Sequence, residues 1–402
     1  MTAVPVLDEY REVAPAGTVD FLRRLSERVR GRSCLHVSAT TTASGVAEIL
    51  HRLVPLLEDA GVRASWQTLA ADPPFAAAAK ALHSALQGGD DRLDEQMLEA
   101  YRDGTRRAAR ELLVDGDIVI CHDPAVAGLV DVRPPEGMWV WRCHADVSQP
   151  QRRAWSFLRQ FVVKYDAAIY SLPRFAQRLP IPQFLIYPAI DPLSDKNREL
   201  PAREIDATLE RLRVPRDKPI LLQVSRFNRF KDPLGVIEAY RIVKKREDCR
   251  LVLVGSGDSA DPEGEALEAE VKEAASHDRD IHVLELEAEA RVEVNALQRA
   301  ATIVLQKSTR EGFGLTVAEA MWKGKPVVGG FAGGITKQII YDVTGYTVNS
   351  VEGAAFRIRQ LLGDPALRDA IGRDAREFVR HNFLITRNLG DLLALMALLL
   401  RS

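Results

Sequence analysis

Two carboxylates, Glu311 and Glu319, frame the most informative segment of the chain, Arg310-Glu311-Gly312-Phe313-Gly314-Leu315-Thr316-Val317-Ala318-Glu319. An apolar strand-like run, Thr302 to Leu305, precedes it, and a helix over Leu315–Lys323 is expected after it. Gly312 and Gly314 would let backbone amides approach a ligand with no Cβ in the way. A helix that opens behind such a loop has unpartnered first amides and the positive end of its dipole, so it takes an anion. Carboxylates beside a phosphate site suit hydroxyls, as on a ribose or another sugar. Eight positions is not a same-face spacing on one helix. Glu311 is therefore read as a loop residue and Glu319 as a helix residue. The local chemistry is that of a sugar nucleotide with its diphosphate on the helix end.

Other loops at expected strand ends carry matching chemistry. Ser225-Arg226-Phe227-Asn228-Arg229-Phe230-Lys231-Asp232 places Arg226 and Lys231 on one short loop, where two cations would stabilise a diphosphate that gains charge as its bond breaks. Arg229 has no evident part in this and is read as a solvated surface charge. Trp141-Arg142-Cys143-His144-Ala145-Asp146 puts polar groups after a very apolar strand, with His144 and Asp146 placed to bond sugar hydroxyls. Ser38 to Glu48 ends on Ser44-Gly45 before a helix. Gly45 there suits amide contact with a phosphate or sugar, and Ser44 suits an ordinary N-cap. The glycine-rich Val328-Gly329-Gly330-Phe331-Ala332-Gly333-Gly334-Ile335 implies close backbone approach to a ligand or to the other domain. Gly255-Ser256-Gly257 does not continue as a dinucleotide fingerprint.

These loops need sheets to hold them. Apolar runs and amphipathic segments alternate along all 402 residues, the pattern of an α/β protein with parallel sheets and crossover helices. Strands are expected at 33–38, 64–69, 117–121, 138–143, 167–171 and 184–187, then at 219–224, 250–254, 281–284, 302–305, 326–328 and 345–348. Helices are expected at 45–60, 93–113 and 151–164, then at 203–213, 233–246, 263–275, 289–301, 315–323, 335–340, 354–362 and 365–382. The stiff Pro188-Ala189-Ile190-Asp191-Pro192 separates two halves of similar size, 1–190 and 191–382, each an open doubly wound domain facing the other across a cleft.

Composition excludes several classes. The formal net charge is −2 with no long block of one sign, so no nucleic-acid surface is expected. Four dispersed cysteines form no C-x-x-C pair and are read as buried thiols. The histidines show no H-E-x-x-H or similar spacing, so no metal site is expected. The N-terminus lacks signal-peptide character, and the apolar run 389–400 is too short to cross a bilayer and contains Asp391. A cytoplasmic protein with no membrane partner is expected.

Together, the Glu311-to-Glu319 element, the Arg226 and Lys231 loop and the double-glycine loop resemble the retaining GT-B glycosyltransferases, in the large family 4 that contains bacterial-type sucrose and glycogen synthases. The strings at 140–146, 189–197, 304–308 through 321–323 and 45–50 are similar to those of a narrower group, the trehalose glycosyltransferring synthases. That resemblance implies two Rossmann-like domains, an acceptor domain over 1–190 completed by a crossing helix at 383–402, and a nucleotide-sugar domain over 191–382. It implies reversible synthesis of α,α-trehalose from ADP- or UDP-glucose and free glucose, with no cofactor required and any Mg2+ effect on rate left open. A homodimer is also implied. Trehalose phosphorylase, or synthesis of another glucoside, is the neighbouring alternative within the family. A nucleotide-sugar-binding protein without catalysis is the alternative of another class.

Residue by residue, the resemblance makes Arg226 and Lys231 diphosphate ligands and Glu319 the ribose carboxylate. Glu311, with the amides near Phe313 and Gly314, clamps the donor glucose, and the amides of Leu315 and Thr316 hold the distal phosphate. His144 lies beside the sugar 6-hydroxyl, Asp146 and Arg142 bind the acceptor, and Gly45 backs the diphosphate. The chain departs from the family at Ser44-Gly45, where Gly-Gly is usual, and at Thr336, where proline is usual.

Overall fold

The computed structural model describes residues 6–40, 44–255, 262–287 and 289–401. Thr41, Thr42 and Ala43 of the Ser38–Glu48 loop, Ser256 and Gly257 of the second glycine loop, and Ala288 therefore lie outside the described residues. The chain divides into two compact units, residues 1–189 with 384–402, and residues 190–383.

In the first unit the strands are β1 (Ser33–Ser38), β2 (Arg63–Thr68), β3 (Ile118–His122), β4 (Met138–Cys143), β5 (Ala167–Tyr170) and β6 (Gln183–Leu185). All pair in parallel, in the order β2-β1-β3-β4-β5-β6. The helices are α1 (Thr18–Ser26), α2 (Gly45–Asp59), α3 (Pro73–Leu86), α4 (Glu95–Ala108) and α5 (Arg152–Val162). Central strands such as Met-Trp-Val-Trp-Arg-Cys are apolar almost throughout because both sheet faces are covered. Leu35, Val37, Val119, Cys121, Trp139, Trp141 and Tyr170 share one core with α3, α4 and α5. Alternation then sends Cys34, His36, His122 and Arg142 to the opposite face. Two helices exceed the sequence expectation. α3 opens on Pro73 behind Asp72, whose carboxylate caps Phe75 N. α1 follows Gly17, which takes φ 80°. The expected strand at 184–187 is shorter and earlier, a three-residue edge strand.

The second unit repeats the design. After α6 (Ala202–Arg211) come β7 (Ile220–Val224), α7 (Pro233–Lys244), β8 (Arg250–Gly255), α8 (Pro262–Ala275), β9 (Ile281–Glu285), α9 (Arg291–Ala300) and β10 (Ile303–Gln306). Then follow α10 (Leu315–Trp322), β11 (Val327–Gly330), α11 (Ile335–Gln338), β12 (Gly345–Val348), α12 (Val351–Gly363) and α13 (Pro365–Asn382). The strand order is β9-β8-β7-β10-β11-β12, all parallel. In a doubly wound sheet, ligands bind beyond the strand C-termini where the winding reverses. Here that point lies between β7 and β10, which the chain leaves by the loops 225–232 and 307–314. In the first unit it lies between β1 and β3.

The last helix, α14 (Ile385–Leu399), belongs to the first unit and packs on α1 and α2. Leu389, Leu392, Leu393 and Met396 are buried there, so the apolar C-terminal run is core. Among the described residues no helix is long and apolar enough to cross a membrane.

Candidate active site

In the second unit the two loops at the switch point are tied together. Thr309 N donates to Phe230 O at 2.8 Å, and Gln223 Nε2 donates to Lys231 O at 2.8 Å. Asn228 Oδ1 accepts from Phe230 N at 2.8 Å and shapes the turn. Asp232, at φ 52°, caps α7 by accepting from Gly235 N and also pairs with Lys307. Lys231 is thereby set against Glu311, Nζ to Oε2 at 2.6 Å, with Ser308 Oγ donating to the same oxygen at 3.3 Å. Glu311 is 8% exposed. Arg226 is exposed and has no hydrogen-bond or ion-pair partner among the described residues. Arg229 pairs outward with Glu270 at 2.8 Å, in keeping with a surface role.

Gly314 caps α10 at φ 86°. The amides of Leu315 and Thr316, in the first turn of that helix, have no acceptor among the described residues. Phe313 is buried, and Gln338 Nε2 holds the loop by donating to Phe313 O at 2.6 Å and to Gly314 O at 3.2 Å. The glycine-rich loop after β11 corrects one expectation: its close approach is to this same unit's Ser308–Phe313 backbone. A Cβ on Gly330 would lie 2.0 Å from Ser308 O, on Gly333 1.4 Å from Glu311 O, and on Gly334 2.3 Å from Phe313 Cα. The glycines thus let the Glu311 loop seat against its neighbour. Thr336 Oγ1 donates to Gly333 O at 2.9 Å and braces that loop.

Glu319 is enclosed, not presented. It is 0% exposed, with Oε1 2.8 Å from Lys196 Nζ and Oε2 accepting from Gln298 Nε2 at 3.1 Å. Burial alone would raise its pKa; Lys196 and Lys323, with the Gln298 bond, outweigh that and hold it below the ordinary carboxylate value. Lys323 in turn donates to Asn197 Oδ1 at 2.8 Å. A ribose can reach Glu319 only if Lys196 gives way. Lys196, on the segment after Asp191, is a partner of Glu319 that the motif pattern did not single out.

In the first unit Gly45 is the exposed first residue of α2, and Ser44 Oγ caps Ala47 N at 3.1 Å. Arg142 lies inside β4 and is 1% exposed, not on the loop that follows. Both of its terminal nitrogens are buried without an acceptor among the described residues, so their donor capacity is open to a polar group. Burial pushes Arg142 down to about 10, against the pull of Asp123. Asp123, at φ 68°, accepts from His144 N at 2.8 Å, and burial raises it to about 6. Asp146 is 3% exposed, and its Oδ1 is taken by Ser148 N at 3.0 Å and Ser148 Oγ at 2.6 Å.

His144 has two further histidines behind it, which the sequence pattern did not connect to it. His144 Nε2 is 3.0 Å from His122 Nδ1, and His122 Nε2 is 2.9 Å from His36 Nδ1. Burial, with the nearby Arg142 charge, lowers all three pKa values, His36 to about 3. His36 and His122 had one signal in the sequence, a polar residue at a same-face position near the end of an otherwise apolar strand. The four cysteines are all buried and free. Among the described residues no group of three or more His, Cys, Asp or Glu is placed to hold a metal ion.

Comparison with known proteins gives a consistent picture. The family described as "Trehalose synthase, N-terminal domain" matches residues 36–177, and "Glycosyl transferases group 1" matches residues 204–378. A trehalose synthase of Pyrococcus horikoshii is 42% identical over 390 residues, covering 95% of this chain and 94% of that protein. A trehalose phosphorylase of Pleurotus pulmonarius is 27% identical, covering 93% of this chain and 58% of that protein. The solved structure of a sucrose-phosphate synthase from Thermosynechococcus elongatus superposes with a TM-score of 0.70 at 18% identity, over 92% of this chain and 100% of that one. This last likeness is one of fold.

Proposed function

We infer the reaction from a plain premise: this chain belongs to the trehalose synthase family of GT-B glycosyltransferases. The reading we propose is reversible transfer of a glucosyl group, with retention, from a nucleoside diphosphate to the anomeric hydroxyl of free glucose. The products are α,α-trehalose, the nucleoside diphosphate and a proton. The observation that carries it is the Lys231–Glu311 pair beside the open amides of α10, at the switch point of the second sheet.

The second unit is assigned the donor. Arg226, Lys231 and the amides of Leu315 and Thr316 take the diphosphate, and their interaction strengthens as the C1–O bond breaks and charge passes to the leaving oxygen. Glu311 and the amides near Phe313 and Gly314 hold glucosyl hydroxyls. With Oε2 engaged by Lys231 and Ser308, Glu311 suits binding better than nucleophilic attack. Glu319 takes the ribose once Lys196 moves. The first unit is assigned Gly45 behind the diphosphate, His144 at the glucosyl 6-hydroxyl, and Arg142 and Asp146 at the acceptor. The acceptor hydroxyl attacks on the face the diphosphate leaves, and a phosphate oxygen receives its proton. A homodimer with no required cofactor completes the proposal.

The test runs the reaction backwards. Purified protein is given trehalose with ADP, UDP or inorganic phosphate, and the glucosyl product is identified. Nucleotide-dependent formation of ADP- or UDP-glucose supports the proposal. Glucose 1-phosphate formed only with inorganic phosphate would move the assignment to a phosphorylase.

A further inference from the structure

The mechanism above uses only the outermost member of a row of four groups, of which Cys34, His36 and His122 are buried and His144 is partly exposed. Cys34 Sγ lies 3.5 Å from His36 Nε2, His36 Nδ1 lies 2.9 Å from His122 Nε2, and His122 Nδ1 lies 3.0 Å from His144 Nε2. Three strands supply the row: β1 gives Cys34 and His36, β3 gives His122, and His144 follows β4. We propose that Cys34, His36 and His122 are positioning residues that lock His144 as its Nδ1–H tautomer, so that it offers the substrate a hydrogen-bond donor. The proposal rests on the substrate role given to His144 above.

A neutral imidazole has one donor and one acceptor. In a row of neutral imidazoles every hydrogen bond must therefore point the same way, and one end sets the direction of all. These rings stay neutral because they are buried and because Arg142 sits beside them. The groups around His144 are His122 on β3, Arg142 on β4, His83 on α3, Asp123 after β3, and Asp146 two residues on. Arg142 and His83 disfavour a charged ring, and Asp123 spends its Oδ1 on the His144 backbone amide.

The inner end decides the direction. Cys34 is fully buried, and its only hydrogen-bond partner among the described residues is His36 Nε2. Burial pushes its thiol up to about 12, so the proton stays on sulfur. Sulfur accepts weakly, whereas an unprotonated imidazole nitrogen accepts well, so the S–H donates to His36 Nε2. His36 must then carry its proton on Nδ1 and donate to His122 Nε2, and His122 Nδ1–H donates to His144 Nε2. The last proton falls on His144 Nδ1, which has no partner among the described residues. The opposite direction would strand the thiol proton in the core and turn a lone pair toward the substrate.

The test is imidazole 15N–1H correlation NMR on the full chain, read beside kinetics. The wild type should show His144 protonated at Nδ1 and bare at Nε2, unchanged from about pH 5.5 to 8. Cys34→Ser keeps a donor at the inner end and should keep that tautomer. Cys34→Ala removes the donor and should populate both tautomers. His122→Gln withdraws the partner from His144, and should bring an acid limb to the pH profile. Its kcat/KM should fall about threefold to tenfold, the worth of one neutral hydrogen bond. Finding His144 protonated at Nε2 in the wild type overturns the proposal, and that reading needs no variant to fold. A tautomer freed by Cys34→Ala or His122→Gln with kinetics unmoved also overturns it, through the substrate role of His144 and not through the row.

Discussion

Replacing Lys231 by Met separates what this lysine does for the fold from what it does for the reaction. Its Nζ is 2.6 Å from Glu311 Oε2, and the two side chains are 19% and 9% exposed. The substitution leaves the Glu311 carboxylate enclosed, with Ser308 Oγ at 3.3 Å as its remaining side-chain donor among the described residues. Orphaning one partner of a fully buried pair costs about 3–5 kcal/mol. Water reaches this lysine, so about 2–3 kcal/mol is appropriate. For a unit of this size that lowers Tm by about 4–12 °C. Adding Glu311→Gln removes the stranded charge and should restore much of the loss. Turnover behaves differently if Lys231 also steadies the departing diphosphate. A lost contact of that kind costs about 2–4 kcal/mol in the transition state, or roughly 30- to 1,000-fold in kcat/KM. The assay is initial-rate transfer well below the variant's melting point, beside a thermal melt. Lys231→Met that turns over within about threefold of wild type refutes the diphosphate role. Restored turnover in the double variant would show that Lys231 acts only by neutralising Glu311.

Other expectations follow from the same geometry. Gly334→Ala should displace the 311–313 loop, because its Cβ would sit 2.3 Å from Phe313 Cα, whereas Gly363→Ala meets nothing within 4 Å. We expect a loss of about 1–3 kcal/mol or more for the first and none for the second, read by urea midpoints. Arg226→Ala should cut kcat/KM at least tenfold with Tm unchanged, since the side chain is exposed and unpaired. Arg229→Ala, which removes exposed pairs with Glu270 and Glu263, should leave turnover intact, and equal effects at the two positions would contradict the assignment. Acid should destabilise the first unit. His36 falls to about 3 and His122 and His144 also lie well below the ordinary value, so the unfolded chain binds more protons below about pH 6.5 and stability drops from there toward pH 3. Asp123, raised to about 6, opposes this between about pH 4 and 6, one group against three. The urea midpoint should fall between pH 7 and 4.5, and the fall should shrink in His36→Gln; an identical fall would disprove the contribution.

The parts of this molecule that were legible in the sequence are those written in local pattern. Continuous apolar runs marked buried parallel strands, and β4 and β12 occupy the expected residues. The eight-residue spacing of Glu311 and Glu319 was enough to put one on a loop and the other on a helix, as found. α3 was missed because its run of alanines has little contrast between faces, although Asp72 and Pro73 mark its start. What was not legible depends on which strands become neighbours. His36 and His122 are 86 residues apart, and they meet because β1 pairs with β3 across the β2 excursion. Lys196 reaches Glu319 from a connector far away in the chain. Gly333 and Gly334 look like ligand-facing glycines until the Glu311 loop is seen packed on them.

One measurement bears most directly on the central claim. Donor labelled with 13C in its glucosyl group, as ADP-glucose and as UDP-glucose, is mixed with unlabelled glucose and the protein, and the product is read by NMR. The account predicts labelled α,α-trehalose formed one for one with nucleoside diphosphate from at least one of the two donors. A β-linked product, labelled free glucose in place of disaccharide, or no reaction with either donor would contradict it.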